Sequence, residues 1–485
     1  MNFKPFPLLV AGLFLGSLTP GRADVRLPAL FSDHMVLQQG MRVPVWGWAD
    51  DGEEVTVTFR GRSEKVTAKN GKWMVKLASL KAGGPDELVV QGKNKIELKD
   101  VLVGEVWVCS GQSNMEWPLD KAYEPASDMA NSANPKLRLF LVPKTKANEP
   151  RDDVKAQWKQ AAPESVPSFS AVAYYFGRDL QKALQVPVGL IETCWGGSPA
   201  EVWMSERVLS AKPDYRQEIL DAYVTAVKNA EAANPAKPQR PAWKPGELYN
   251  GMIAPLIPYA IKGAIWYQGE SNAGRAHQYR TLFPDMIRNW RHDWGQGDFT
   301  FLAVQLAPFK PIKEQPGDSD WAELREAQFL ATKVLPKVGL AVITDVGDEK
   351  DIHPRKKRPV GERLALAARG IAYGERIEYS GPVYKALRVD RGKAILSFDH
   401  VGQGLEARDG ELKGFAICGA EGKFSWAKAE IEKDKVIVSS PEVAQPVAVR
   451  YGWADYPVVN LWNRDGLPAT PFRTDVFPML TAPKK

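Results

Sequence analysis

An apolar strand leads directly into a small polar turn in the stretch Gly104-Glu105-Val106-Trp107-Val108-Cys109-Ser110-Gly111-Gln112-Ser113-Asn114-Met115-Glu116-Trp117. In an open α/β sheet, reactive groups gather beyond the carboxyl ends of the strands. Ser113 lies in such a turn, just after Gly111. A serine hydroxyl is a weak nucleophile until a base removes its proton. Ser113 is therefore a candidate nucleophile, provided that a histidine follows another strand.

His353 is the candidate base. The chain has five histidines, and only His353 lies in a setting comparable to that of Ser113, in a loop that follows the apolar run Val338-Gly339-Leu340-Ala341-Val342-Ile343. The loop between that run and Pro354 contains several acidic residues, and a carboxylate can hold an imidazole in the tautomer that accepts a proton. Ser113 and His353 are 240 positions apart, so only tertiary structure can bring them together.

Around this pair, strands alternate with amphipathic helices from Val101 to about Arg376. This alternation predicts βαβ units and a mostly parallel sheet with helices on both faces. The expected helices are Ala171–Leu184, Gln278–Trp290, Trp321–Val334 and Val360–Ala372. An insertion at about 205–250 is polar and rich in Ala, Lys and Pro, and both a substrate-shaping insert and a solvated excursion remain open.

Short alternating runs separated by Gly, Asn and Asp turns flank this region on both sides. Such runs are typical of antiparallel β-sandwiches. We therefore expect an N-terminal β-sandwich domain at 24–100, an α/β domain at 101–376 and a C-terminal β-rich domain at 377–485.

Four motifs at predicted strand ends are similar to a known family. They are Gly-Gln-Ser-Asn-Met-Glu at 111–116, Trp-Gly-Gly-Ser-Pro-Ala-Glu-Val-Trp at 195–203, Trp-Tyr-Gln-Gly-Glu-Ser-Asn at 266–272 and Asp-Ile-His-Pro at 351–354. Together they resemble the sialate O-acetylesterase family, a carbohydrate-esterase branch of the SGNH hydrolases. Residues 30–38 and 466–475 also resemble that family.

The resemblance implies an SGNH-type, flavodoxin-like α/β domain and hydrolysis of O-acetyl esters on carbohydrate through an acyl-serine intermediate, with no cofactor. Asp351 is our choice for the residue that orients His353. SGNH enzymes generally resemble Asp-x-x-His, whereas Lys350 is the residue three before His353 in this chain. Asp345 and Asp348 therefore stay open as alternatives.

Two further motifs suggest donors for an oxyanion. Gly197 follows a strand and has no side chain to keep its backbone N–H from the substrate. Gln268 ends another strand and offers a side-chain amide where the superfamily resembles an asparagine, with Asn272 as the alternative. We expect Glu270 to position the same loop rather than to transfer protons.

Residues 1–23 are predicted to be a cleaved signal peptide. Lys4 precedes an apolar run from Phe6 to Leu18, and Gly21-Arg22-Ala23 places small residues where a signal peptidase reads. The run is too short to span a bilayer, so we expect an exported protein, periplasmic or extracellular, that starts near Asp24.

Net charge and motif content argue against a nucleic-acid-binding protein and against a zinc hydrolase. The net charge of +6 is spread over 64 basic and 58 acidic residues, which gives no support for a nucleic-acid partner. The densest basic run, Arg355 to Arg358, is expected to be a solvated approach to a helix. His-Glu-x-x-His and cysteine pairs are absent, so a zinc hydrolase has no support, and no metal site is expected.

Cys109 and Cys194 both lie at the ends of predicted strands, so they could form one disulfide or remain two buried thiols.

Rival functions are an inactive carbohydrate-binding protein, which the 16 tryptophans would also suit, and a serine peptidase. The sugar that carries the acetyl group and the oligomeric state are not predicted.

Overall fold

The computed structural model of the chain describes residues 24–483, so the predicted signal peptide lies outside the described residues. The chain first forms a β unit whose strands alternate buried and exposed side chains. Its strands are β1 (Val36–Gln38), β2 (Val43–Trp48), β3 (Glu54–Phe59), β4 (Arg62–Thr67), β5 (Lys72–Leu77), β6 (Gly83–Gln91) and β7 (Lys95–Gly111).

Strand β7 belongs to two parts of the molecule. Its first half pairs antiparallel with β6 and parallel with β1. Its second half, from Glu105 onward, enters the central sheet. The 17-residue strand therefore runs without a break across residues 100 and 101, where the sequence predicts a domain boundary.

The central sheet follows the order β13-β12-β11-β7-β10-β8-β9. All neighbours in it are parallel except the edge strand β9, which is antiparallel to β8. The predicted mostly parallel sheet is confirmed, whereas the sequence did not reveal β9. The bounds are β8 (Asn134–Leu141), β9 (Trp158–Ala161), β10 (Val188–Cys194), β11 (Gly263–Tyr267), β12 (Thr300–Val304) and β13 (Val338–Ala341).

Helices cover both faces of this sheet, as predicted. The helix α3 occupies the predicted residues Ala171–Leu184 and begins where the Ser170 hydroxyl accepts the backbone N–H of Ala173 at 3.1 Å. None of the helices in residues 24–483 has the length and apolar character needed to cross a membrane. The α-helices are α1 (Ser113–Glu116), α2 (Ala126–Ala130), α3, α4 (Glu206–Ala211), α5 (Pro213–Tyr215), α6 (Ala222–Ala233), α7 (Ala276–Trp294), α8 (Asp320–Val334) and α9 (Arg358–Ile371).

Alternation along β7 separates two hydrophobic cores. Val106 and Val108 point into a core that contains α7, α8 and the N-terminal β unit. Trp107 and Cys109 point to the other face, into a core that contains α3 and α9. Because successive side chains of a strand point to opposite faces, one strand supplies both layers. The N-terminal β unit thus shares its core with one face of the central sheet.

The C-terminal β unit has a core of its own, built between two four-stranded antiparallel sheets. The sheets follow the orders β14-β15-β20-β19 and β18-β17-β21-β23, and β16 pairs with β22. The strands are β14 (Val383–Asp390), β15 (Lys393–Asp399), β16 (Leu405–Ala407), β17 (Phe415–Cys418), β18 (Phe424–Trp426), β19 (Lys428–Glu432), β20 (Lys435–Ser439), β21 (Ala448–Tyr451), β22 (Leu461–Asn463) and β23 (Phe472–Arg473).

The insertion at about 205–250 is anchored at its two ends. Tyr215 is buried, and its hydroxyl donates to Asp285 Oδ2 of α7 at 2.6 Å. Helix α6 buries none of its side chains. Near the end of the insertion, the ring of Trp243 packs edge-on against Trp195, with centroids 5.5 Å apart. The middle of the insertion is solvated, and its end reaches the loop that follows β10.

Candidate active site

The turn that carries Ser113 depends on a glycine. Gly111 has φ +142°, and a Cβ there would lie 2.2 Å from the carbonyl oxygen of Tyr267, at the end of β11. Only glycine lets the two strand ends approach so closely. Ser113 then opens α1, and the first backbone N–H groups of a helix have no intrahelical partner.

The structure brings Ser113 and His353 together. His353 Nε2 lies 2.9 Å from Ser113 Oγ, within hydrogen-bonding distance. The Trp117 indole stacks on the imidazole, with centroids 5.3 Å apart and 21° between the planes. The indole N–H of Trp117 donates to the carbonyl of Lys121 at 3.0 Å, which fixes the ring against which His353 rests.

The three candidate orienting acids lie in different settings. Asp351 Oδ1 lies 3.4 Å from His353 Nδ1 and accepts the backbone N–H of His353 at 2.8 Å. Asp345 forms two bonds to Arg363, at 2.6 and 2.8 Å. Asp348 accepts the backbone N–H of Lys350 at 2.8 Å and so shapes the loop. Among these acids, Asp351 is the one beside the imidazole, although 3.4 Å is long for a hydrogen bond.

The surroundings of His353 favour its neutral form. Burial lowers the pKa of His353, and the positive charge of Lys357 lowers it further, while Asp351 acts in the opposite direction. A histidine that acts as a general base must be neutral to accept a proton. The site therefore keeps the imidazole in the proton-accepting state at a lower pH than a free histidine would allow.

Asn114 joins the three loops of the site, a role that the sequence analysis missed. Its amide nitrogen donates to Glu270 Oε1 at 2.6 Å and to the carbonyl of Ile352 at 3.0 Å. Its amide oxygen accepts from Lys357 Nζ at 2.5 Å. The residue after Ser113 thus holds both the Glu270 loop and the His353 loop. In the sequence, only its position inside the Gly-Gln-Ser-Asn motif indicates that Asn114 belongs to the site.

Lys357 corrects the expectation that the run Arg355 to Arg358 is solvated. Lys357 is only 1% exposed, and its ammonium lies 5.4 Å from the Tyr267 ring centroid and 5.7 Å from that of Trp117. Burial lowers the pKa of Lys357 to about 7, although Glu270 and Asp351 favour its charge. Residue spacing cannot distinguish a buried lysine from its exposed neighbours.

The Glu270 carboxyl is enclosed by the protein and accepts a hydrogen bond from Asn114. Burial raises the pKa of the Glu270 carboxyl, while hydrogen bonds and the charge of Lys357 oppose this shift. Oε2 is buried, and within residues 24–483 it has no hydrogen-bond partner. Burial therefore drives both Glu270 and Lys357 toward their neutral forms, and Asn114 lies between them.

Gly196 and Gly197 lie next to the nucleophile. A Cβ at Gly196 would lie 3.2 Å from Ser113 Cβ. The N–H of Gly196 donates to Glu116 Oε2 at 2.6 Å. Gly197 is exposed with φ +74°, and within residues 24–483 its N–H has no acceptor. This N–H is available to a substrate, as a donor in an oxyanion hole must be.

Gln268 does not present its amide to the nucleophile. It is fully buried, and its amide nitrogen donates to Asn272 Oδ1 at 2.6 Å and to the carbonyl of Ser198 at 3.3 Å. The amide oxygen accepts from the Tyr279 hydroxyl at 2.8 Å. Asn272 lies in the same network and donates to Glu201 Oε2 at 3.0 Å. This geometry does not support Gln268 as an oxyanion donor, because both its amide hydrogens are already used to brace the loop.

A cavity of about 230 Å³ opens beside His353. Its lining includes Tyr123, Asp348, Asp351 and Lys356, so one side is charged and exposed.

All three cysteines are buried free thiols, and Cys109 and Cys194 form no bridge. Within residues 24–483, no group of three His, Cys, Asp or Glu side chains is placed to hold a metal ion.

Comparison with known proteins agrees with this geometry. The profile of the family described as carbohydrate esterase, sialic acid-specific acetylesterase, matches residues 103–369. The chain is 31% identical to the sialate O-acetylesterase of Pongo abelii and 30% identical to that of Homo sapiens, in each case over 96% of this chain and 97% of the relative.

Among solved structures, a carbohydrate acetylesterase from Xanthomonas citri is 43% identical and superposes with a TM-score of 0.84, covering 94% of this chain and 100% of that one. The match spans the flanking β units as well as the central sheet, since it covers nearly the whole chain. The resemblance inferred from the four motifs is therefore confirmed, and the chain belongs to the sialic acid-specific acetylesterase family of carbohydrate esterases, which are carboxylic ester hydrolases.

Proposed function

We propose that the protein removes O-acetyl groups from carbohydrate, with Ser113 as nucleophile and His353 as base. The observation that carries this proposal is the 2.9 Å distance between Ser113 Oγ and His353 Nε2 at the carboxyl edge of a parallel sheet. Residues that act as a nucleophile and base pair must be within such reach of each other. The names of the relatives supply the substrate class, an acetylated sugar.

In the proposed reaction, Ser113 Oγ attacks the acetyl carbonyl while its proton passes to His353 Nε2. The oxyanion of the tetrahedral intermediate accepts the N–H of Gly197 and the N–H of Ser113 at the start of α1. His353 returns the proton to the departing sugar oxygen, which leaves acetyl-Ser113. Water then attacks this ester with His353 again as base, and acetate leaves with Ser113 restored.

The rival functions are less well supported. An inactive carbohydrate-binding protein has no need of a serine hydroxyl held on a histidine that is stacked and kept neutral. A serine peptidase is disfavoured because the relatives are acetylesterases along nearly their whole length. A panel of acetylated sialate, xylan and xyloglucan, read out as acetate release, identifies the sugar, and a casein digest tests the peptidase.

The decisive variant is Ser113→Ala. Loss of one hydroxyl at a turn leaves the fold intact, whereas loss of a triad nucleophile typically lowers kcat by on the order of 10⁶. We expect acetate release from p-nitrophenyl acetate to disappear in the variant while its melting curve is unchanged. Activity within tenfold of the wild type, in a folded variant, would exclude the mechanism.

We also propose that residues 1–23 direct export and are then removed. The support is the sequence pattern alone, since these residues lie outside the described part of the chain. Mass spectrometry of the protein after expression in a bacterium should give a mature chain that starts near Asp24 outside the cytoplasm. A full-length cytoplasmic chain that starts at Met1 would contradict this.

A further inference from the structure

A groove of about 180 Å³ lies between the loop at 312–318 and the loops of the C-terminal β unit. We call it the interdomain groove. No residue of the candidate active site lines it. The lining combines three aromatic rings with charged and amide side chains, and the residues that matter here are Trp426, Trp453, Tyr456, Lys413 and Asp318.

Trp426 forms an open, fixed platform in this groove. It ends β18, and its side chain is 44% exposed, which is unusual for a residue of this size. Its indole N–H donates to the carbonyl of Glu314 at 2.7 Å, across the boundary between the two units. The polar edge of the ring is therefore satisfied and held in place, while its apolar face remains available for a ligand.

Trp453 forms a rigid wall of the same groove. It is 7% exposed, and the guanidinium groups of Arg450 and Arg473 each lie 5.2 Å from its ring centroid. Arg450 is itself held by two bonds to Asp475, at 2.8 and 3.1 Å. Because the wall is already ordered, binding a ligand against it costs little conformational entropy.

Polar groups lie beside the aromatic rings. The Lys413 ammonium has no acidic partner within residues 24–483, so its donors are available. Asp318 is 62% exposed and lies 3.4 Å from Arg450, which leaves its second carboxylate oxygen open to solvent. The exposed apolar face of Trp426, with donors and acceptors beside it, matches a pyranose ring, whose C–H face is apolar and whose hydroxyls both donate and accept.

The groove lies next to the His353 loop. Asp348 N donates to the carbonyl of Pro308 at 3.3 Å, and Phe309 N donates to the carbonyl of Asp455 at 3.2 Å. Burial raises the pKa of Tyr456, and the nearby carboxylates of Glu349 and Asp348 raise it further. Ile312, which lines the groove, also donates its backbone N–H to Glu349 Oε2 of the His353 loop at 3.5 Å, so the groove and that loop are in direct contact.

We propose that the interdomain groove binds a sugar unit of the substrate chain, apart from the unit whose ester is cleaved at Ser113. This rests on the proposed function, because it assumes that the substrate is a glycan longer than a single sugar. A chain held at both places would stay near the active site between successive deacetylations, so the groove would favour polymers and oligosaccharides over acetylated monosaccharides.

The test compares Trp426→Ala with Val447→Ala, which removes another exposed apolar side chain of the C-terminal β unit outside the groove. Both changes are made in the full chain carrying Ser113→Ala, and binding is measured by affinity gel electrophoresis on acetylated xylan, acetylated xyloglucan and an O-acetylated mucin. We expect the Ser113→Ala protein to be retarded by at least one polymer. Relative to that protein, the Kd should be about tenfold higher with Trp426→Ala and unchanged with Val447→Ala. Lys413→Ala provides a second variant that leaves the Trp426–Glu314 bond in place, and it should weaken binding in the same direction.

Kinetics separate this inference from the proposed function. With Ser113 intact, Trp426→Ala should raise KM for the preferred polymer about tenfold, while kcat on that polymer stays within threefold of wild type. Equal binding by Trp426→Ala, Lys413→Ala and Val447→Ala would overturn the groove while leaving the esterase intact. Absence of retardation on all three polymers would also overturn it, whereas failure of the proposed function is recognised by lack of acetate release from every ester, including p-nitrophenyl acetate.

Discussion

Single side chains in this site act mainly by holding other side chains. Asn114 contacts Glu270, the backbone at Ile352 and Lys357, so one amide joins the Ser113 turn to the Glu270 loop and the His353 loop. Trp117 restrains the His353 ring, and Gln112 Oε1 accepts the backbone N–H of Ser271 at 3.3 Å. The candidate nucleophile and base are therefore placed by residues with no proton-transfer role of their own.

Asparagine substitution separates the three acids near His353. Asp351→Asn should lower kcat by more than the same change at Asp345 or Asp348, because only Asp351 lies beside Nδ1. The loss should stay below the value of about 10⁴ seen for a buried triad aspartate, since the Asp351 side chain is 53% exposed and its contact is long. Steady-state kcat of the three variants on p-nitrophenyl acetate measures the order, and equal mild losses would indicate a Ser-His dyad.

The pH profile reports the charge near His353. Since the pKa of His353 is lowered, kcat/KM should fall with acid at a midpoint below the ordinary histidine value of about 6.5. Lys357→Met removes a positive charge that disfavours imidazolium, so it should move that midpoint upward. The neighbouring Lys356→Met removes an exposed charge and serves as the matched control. An unchanged midpoint in Lys357→Met would show that burial, and not the charge of Lys357, lowers the pKa of His353.

At the scale of elements, the site depends on strand ends that meet at one edge of the sheet. Strand β7 lies at the centre, with β10 and β11 on its two sides. In register, Gly111 pairs with both Cys194 and Tyr267, so the three loops that follow these strands start at the same level. This arrangement places Ser113, Gly197 and Glu270 near one another at this edge of the sheet. His353 lies in the loop that follows β13.

Gly111→Ala tests the meeting of β7 and β11. The new Cβ would lie 2.2 Å from the Tyr267 carbonyl oxygen, and φ +142° is unfavourable for alanine, so the strands must separate. We expect a loss of at least about 3 kcal/mol in unfolding free energy, together with reduced activity. Gly71→Ala is the control, because its φ of +71° is also positive but nothing lies within 4 Å of the new Cβ. The control should lose only about 1–2 kcal/mol, and equal losses in both variants would contradict the steric argument.

At the scale of the whole molecule, the N-terminal β unit and the central sheet are one packed body. They share a hydrophobic core, and the Tyr259 hydroxyl donates to the carbonyl of Val36 at 2.8 Å across them. The C-terminal β unit has a separate core and meets the rest through polar contacts such as Arg325 to the carbonyl of Asp455 at 2.9 Å.

Native-state hydrogen exchange should reveal this division. Amides of β3 and β6 should open with the same free energy as those of β11, because unfolding either part exposes the shared core. Amides of β15 and β20 should open with a common free energy that differs from that of β3, β6 and β11. Independent, lower protection of β3 and β6 relative to β11 would show that the N-terminal unit is a separate domain.

Local pattern determined much of this protein. The alternation of strands and helices predicted the central sheet, and α3 begins and ends at the predicted residues, because hydrophobic periodicity and capping are local properties. The motifs indicated Ser113, His353 and Gly197 as candidates, since each stands at a strand end where an α/β sheet places its reactive groups.

Tertiary structure decided what depends on neighbours distant in sequence. Burial of Lys357 beside Asn114, 243 positions away, cannot be inferred from a run of four basic residues, because solvation depends on which segments pack above it. The bonds of Gln268 to Ser198 and Tyr279 likewise decided that its amide braces a loop, although its place at a strand end indicated an oxyanion donor. A residue type fixes which bonds a side chain can form, and only the packed chain fixes which partners satisfy them first.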